Sequence, residues 1–175
     1  VNSSNSVGGI VCYKANYGAV TFCTNTGAVS GTQKVGGIVG DNRVDSIENC
    51  ANNGTVSGTS ETGGIAGNLY YGNIVNCFDN AAGSIVGKNS NGSAANCFYL
   101  AESETDSVSG TTAVSEKQCR SGEVSFLLGS GWGQLIGIDN YPILGGAAVY
   151  AAAEDSPCSG YTNSSDGIKE HSYAD

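Results

Sequence analysis

Charge is scarce in this chain: Asp, Glu, Lys and Arg make up 13% of its 175 residues, well below the ordinary quarter or so. What charge there is leans acidic. Seven Lys and Arg stand against 16 Asp and Glu, a net charge of −9, so the basic footprint that nucleic acid and anionic membrane surfaces need is missing. Histidine occurs once, at His171, which leaves a Ser-His-Asp or Cys-His arrangement one candidate base near a polar C-terminus. Zinc hydrolysis needs about three protein ligands around an open position, and no such set is apparent. No apolar run approaches the 18 or so residues of a membrane span. No signal peptide is present and the first residue is not Met, so the chain is expected to be a processed or excised piece of a longer protein with neighbouring domains. No catalytic residue, metal or cofactor is expected.

What fills the chain instead is glycine, 27 residues of it, together with Ser, Thr and Asn, and these fall into a repeat. Val35-Gly36-Gly37-Ile38-Val39-Gly40 is followed by Asn49-Cys50-Ala51-Asn52-Asn53-Gly54-Thr55-Val56-Ser57-Gly58. The preceding unit reads Val7-Gly8-Gly9-Ile10-Val11-Cys12, then Cys23-Thr24-Asn25-Thr26-Gly27-Ala28-Val29-Ser30-Gly31. The following one reads Thr62-Gly63-Gly64-Ile65-Ala66-Gly67, then Asn76-Cys77-Phe78-Asp79-Asn80. A decayed fourth copy is Ala82-Gly83-Ser84-Ile85-Val86-Gly87, then Asn96-Cys97-Phe98-Tyr99. Starts at 7, 35, 62 and 82 give periods of 28, 27 and 20. Such self-similarity signals stacked units, none of which can bury its apolar face alone. Val1 sits where Val29 and Val56 sit relative to the next unit, so a further unit is expected upstream.

Each full unit divides into three short extended stretches, Gly37 to Val39, Ser46 to Cys50 and Gly54 to Ser57 in the second, with Gly and Asn at the corners. Stacking then predicts four apolar columns: Ile10, Ile38, Ile65 and Ile85; Val20, Ile47, Ile74 and Ala94; Val1, Val29 and Val56; and Cys23, Cys50, Cys77 and Cys97. This pattern predicts an all-β, right-handed parallel β-solenoid of about four rungs. The third unit lacks the Gly-Thr-Val-Ser-Gly stretch, so it is expected to lose one side of its coil. The cysteines, small hydrophobes in register about 4.8 Å apart, are expected as buried thiols. A metal site would need converging ligands, and disulfides between rungs would be strained. Asn25, Asn52 and Asp79 share one offset and Asn49, Asn76 and Asn96 another, as amide ladders would.

The repeat resembles the GLUG motif, a Gly-Gly-Ile-Val/Ala-Gly plus Asn-Cys-x-Asn-x-Gly-x-Val-x-Gly pattern, over residues 1–100. That resemblance implies a bacterial cell-surface or secreted protein and says almost nothing about chemistry.

Residues 101–146 change in character. Glu102 to Thr112 reads as a polar, acidic loop; Glu102, Glu104 and Asp106 alternate, but without the glycine and terminal Glu of a calcium loop. Ser115-Glu116-Lys117-Gln118 is a capping box opening a helix to Leu128, with Val124, Leu127 and Leu128 inward, Gly122 weakening its middle and Gly129 stopping it. Two short strands around a turn follow between Trp132 and Leu144. The Trp-Gly-Gln and Tyr-Pro-Ile-Leu series here resembles a segment that follows GLUG repeats, and suits a small α+β C-terminal cap over open strand edges. Residues 147–175 read as a linker or the start of a further module, with a strand around Tyr150.

The composition and the resemblance together predict a non-enzymatic adhesive or spacer module, binding host or dietary glycans or surface proteins. Two alternatives stand beside it. One is a glycan-processing β-helix enzyme, a glycosidase or polysaccharide lyase, for which Asp41, Asp45, Glu48 and Glu61 are the available carboxylates. The other is a purely structural stalk. If a ligand site exists, Tyr70 and Tyr71 are its best candidates, since only the third unit carries two aromatics at that variable corner. The competing reading makes one of them a packing residue. Trp132 either stacks on a sugar or fills the cap.

Overall fold

The computed structural model describes residues 2–3, 5–15, 17–81, 83–101, 108–151 and 160–163. The expectations for Val1, for Glu102, Glu104 and Asp106 and for His171 lie outside the described residues. The chain forms two compact units, Val1–Val114 and Ser115–Asp175.

The first unit is a parallel β-solenoid. The rung that begins with Val29–Gly31 continues through Gln33–Gly36, Val39–Asn42, Ser46–Glu48 and Ala51–Asn52, and each of these five strands belongs to a different sheet. Every sheet runs along the stack with parallel in-register neighbours, Val11 beside Val39, Val39 beside Ala66, and Ala66 beside Val86. The columns follow from that register. Ile38, Ile65 and Ile85 are fully buried, as are Ile47 and Ile74, and full burial of each such side chain contributes roughly 1.5–3 kcal/mol. Ile10, at the outer end of its column, is 46% exposed. Val7, Val29 and Val35 form a separate small core against which Val56 packs.

Five short strands per turn, rather than three, are the first correction. The stretch from Ser46 to Cys50 is cut by Asn49, whose φ of 50° turns the chain into the next strand. Asn76 (φ 50°), Asn96 (φ 52°) and Phe22 (φ 52°) do the same one residue before Cys77, Cys97 and Cys23. Asn is the side chain that best tolerates this left-handed region. Its recurrence before cysteine is therefore a corner signal first, and Asn96 also donates its side-chain N–H to Asn76 Oδ1 at 2.9 Å.

The Gly-Gly pairs have a different role from corners of special φ. A Cβ on Gly37 would lie 2.2 Å from the Gly64 carbonyl oxygen and 2.4 Å from the side chain of Asn52. Gly9 meets Asn25 in the same way, and Gly64 meets Asp79. The glycine makes room for the polar ladder of its own rung, which ties together two halves of the repeat that stand far apart in sequence.

The shortened unit takes the expected form. After Phe78–Asp79 the next strand is Val86–Asn89, and among the described residues the two sheets holding Val56–Ser57 and Ser60–Gly63 gain no fourth member. Thr111 and Thr112, expected as the end of a loop, instead open a strand, Thr111–Val114, parallel to Cys97–Leu100. Its alternating Thr-Thr-Ala-Val suits an outer strand, with Val114 buried.

The second unit opens with α1 (Glu116–Ser121). Ser115 Oγ accepts from Gln118 N at 3.3 Å, and Gln118 Oε1 accepts from Ser115 N at 3.0 Å. Gly122 does more than weaken a single helix. At φ 90° it ends α1 and begins α2 (Glu123–Leu128), with Val124 and Leu128 buried and Leu127 partly so. Trp132–Gly133 then pairs antiparallel with Ile143–Leu144, and Tyr150–Ala151 with Tyr161–Thr162. Gln134, wholly buried, accepts from Ser125 Oγ at 2.6 Å and donates towards the carbonyls of Arg120 and Asp139.

Candidate functional site

The site is built on the sheet of Val11–Lys14, Val39–Asn42, Ala66–Leu69 and Val86–Asn89. Tyr13, Asp41, Asn68 and Lys88 occupy one register row across it. Just past the strand ends the backbone bonds continue, Arg43 N to Lys14 O and Tyr70 N to Asn42 O, both at 2.8 Å. Arg43 and Tyr70 thus stand one above the other on adjacent rungs.

Their side chains meet accordingly. The Arg43 guanidinium carbon lies 5.0 Å from the centre of the Tyr70 ring and 5.8 Å from that of Tyr13, within the reach of cation–π attraction. Tyr71 meets Tyr70 edge to face, centroids 4.6 Å apart and planes at 83°. Tyr71 is 59% exposed, and Tyr13 and Tyr70 are also open to solvent. Three rungs therefore contribute to one aromatic patch around a single arginine.

Beneath the patch lies Asp41, 1% exposed. Its Oδ2 accepts from Lys34 Nζ at 2.7 Å and Arg43 Nε at 3.0 Å, and its Oδ1 from Asn68 Nδ2 at 2.7 Å. Burial alone would raise its pKa, but Lys34, Asn68 and Arg43 together hold the carboxyl below the ordinary carboxylate value. Ionised and fully engaged, it anchors cations and has no proton to donate at neutral pH. Asp45 accepts from the backbone of Gly18, which together with Lys14 at 4.0 Å lowers its pKa. Glu61 is paired with Lys88 at 2.9 Å.

The structure brings Tyr70 and Tyr71 together in the solenoid unit. Trp132 belongs to the other unit and is 3% exposed, so its ring fills the interior there and offers no face to solvent. Tyr13 and Arg43 are members of the patch that sequence reasoning missed. The available signal was Arg43 at the position equivalent to Tyr70.

The polar ladder is a second continuous cluster. Asn25 Nδ2 donates to Asn52 Oδ1 at 2.8 Å, and Asn52 Nδ2 to Asp79 Oδ1 at 2.7 Å. Each Asn also exchanges bonds with the glycine two residues on, Gly27 or Gly54. These groups satisfy one another and bind the rungs. The thiols run alongside: Cys50, Cys77 and Cys97 are buried, Cys23 partly so, and none of the four is in a disulfide. Their sulfurs sit 3.3 Å from the carbonyl two residues earlier in the chain. Burial pushes the Cys77 thiol well up. Among the described residues no three His, Cys, Asp or Glu side chains converge as a metal site, and no helix is long and apolar enough to cross a membrane.

Fold and site define a parallel β-solenoid with an aromatic–arginine patch on one face. Beyond that class no relative is found: the chain matches no protein-family model, no curated protein and no solved structure.

Proposed function

We propose that the chain is a non-enzymatic binding module of a bacterial cell-surface or secreted protein, of the kind built on GLUG-like repeats, and that it contacts a glycan or a surface protein through Tyr13, Arg43, Tyr70 and Tyr71. The observation that carries this reading is the exposure of three tyrosines around one arginine on one face of the solenoid. Aromatic rings and arginine are the groups that supply most contact energy at binding surfaces. Elsewhere the recurring polar groups are engaged with one another in the ladder.

That same internal engagement favours a second reading, a structural stalk with no ligand. A screen of the purified chain against mucin, plant glycans and immobilised surface proteins separates the readings. Binding without product release supports the module, and product release identifies a glycan-processing enzyme. Silence across the screen favours the stalk.

A further inference from the structure

We propose that the ligand of this patch is a carboxylated carbohydrate, a chain bearing uronate or sialic-type acid groups, with Arg43 as the residue that selects it. The inference rests on the binding-module reading above and names its ligand class.

The first ground is the unused donor capacity of Arg43. A guanidinium carries five N–H donors. One, on Nε, goes to Asp41 at 3.0 Å, and among the described residues the group's remaining contacts are the tyrosine rings. The two terminal nitrogens are left for a ligand, and they present the planar fork that matches a carboxylate. Asp41 and the rings fix the guanidinium in place, so little side-chain freedom is lost when a ligand binds.

Charge is the second ground. Lys14, Lys34 and Arg43 are compensated locally by two carboxylates, Asp41 and Asp45, which leaves one positive charge in excess. The chain's net −9 does not oppose this. Residues 1–100 hold four Lys and Arg against five Asp and Glu, a net of −1, and the remaining −8 belongs to residues 101–175. One excess charge suits a ligand with sparse acid groups; a nucleic acid, with a charge on every phosphate, requires a far larger basic footprint.

The third ground is shape. Tyr13 and Tyr70 stand two rungs apart and two residues offset along the strand, about 10 Å apart in the stacking direction at the ordinary strand spacing, with the arginine in contact with both rings. An extended chain of sugars laid obliquely across the rungs fits this spacing, its apolar faces on the exposed rings and its acid group on the fork.

The test titrates the chain with hyaluronan hexasaccharide and sialyllactose, and with neutral xylohexaose and lactose, at low and high NaCl. The acidic ligands should bind more tightly than the neutral ones and weaken with salt. Arg43→Gln should lose roughly 10- to 100-fold in that affinity, the effect of a charged hydrogen bond. Arg43→Lys keeps the charge but loses the fork, and should also weaken binding; it serves if Arg43→Gln does not fold. Equal affinity for neutral sugars, or indifference to both Arg43 variants, overturns this inference while leaving the binding module intact. A protein ligand found in the screen, with no sugar bound, also overturns it alone. No ligand of any kind overturns both.

Discussion

Asn52 lies between Asn25 and Asp79, accepting an amide N–H from Asn25 at 2.8 Å and donating one to Asp79 at 2.7 Å. Both bonds cross from rung to rung inside the stack, and Gly37 leaves the space in which Asn52 sits. The ladder thus depends on the Gly-Gly pair, and the pair recurs because the ladder does.

Replacing the central member should therefore cost more than replacing the end. Asn52→Ala removes the acceptor of one Asn25 N–H and the 2.7 Å donor to Asp79, and is expected to lose roughly 2–4 kcal/mol, against about 1 kcal/mol for Asn25→Ala. Gly37→Ala should lose at least about 2 kcal/mol, because backbone on one side and Asn52 on the other leave no room to relax. Urea unfolding of the three variants gives the order.

The left-handed corners make a prediction of opposite sign. Phe22 holds φ 52° with a bulky side chain that is 62% exposed. Phe22→Asn, the residue found at the equivalent corners, should stabilise the protein by about 1 kcal/mol. Asn49→Val should destabilise by a similar amount or more. Thermal melting of both variants checks this, and a Phe22→Asn protein that melts lower would contradict it.

Asp41 should contribute to acid unfolding. Its folded pKa is depressed, so the stabilisation it gives is complete above the unfolded value of about 4 and is lost as pH falls through the folded one. Asp41→Asn is expected to cost about 1–3 kcal/mol at pH 7. That difference from the wild type should hold down to about pH 5 and shrink below pH 4. A difference that persists undiminished at pH 2 would show that the charge is not its source.

Thiol chemistry should divide the cysteines by burial. At pH 8 an aromatic disulfide reagent should label Cys12 quickly in the native protein and Cys23 more slowly, since burial and the neighbouring Cys50 raise the Cys23 pKa. Cys50, Cys77, Cys97 and Cys119 should react only after unfolding, with burial and then Glu116 pushing Cys119 up to about 12. Mass spectrometry of the labelled peptides assigns each site.

The core is legible in the sequence because Ile38 and Ile65, or Ile47 and Ile74, keep their offsets, and identical offsets become vertical neighbours in a solenoid. The missing side of the shortened coil is legible for the same reason. The strand count is not, because a left-handed corner depends on one backbone angle that Phe22 adopts as well as Asn49. The strand Thr111–Val114 carries none of the repeat's glycines or cysteines, so periodicity passes over it. The patch is half legible. Tyr70 and Tyr71 stand out as a pair, but Tyr13 comes from a unit one residue longer, and only the folded register brings it to Arg43. Trp132 shows the limit from the other side, since an isolated aromatic in sequence carries no sign of whether it faces in or out.

The binding reading stands on the exposed tyrosines, and the most direct test is one titration beside one melting curve for Tyr71→Ala and for the double variant Tyr70→Ala/Tyr71→Ala. Tyr71 is the more exposed of the two, so its removal should change stability by no more than about 0.5 kcal/mol. Tyr70 also stacks on Arg43, so the double variant should lose about 1 kcal/mol more. The predicted result is a folded double variant that no longer binds the ligand identified in the screen. Retained affinity together with a large fall in melting temperature would make the tyrosines packing residues and contradict the account.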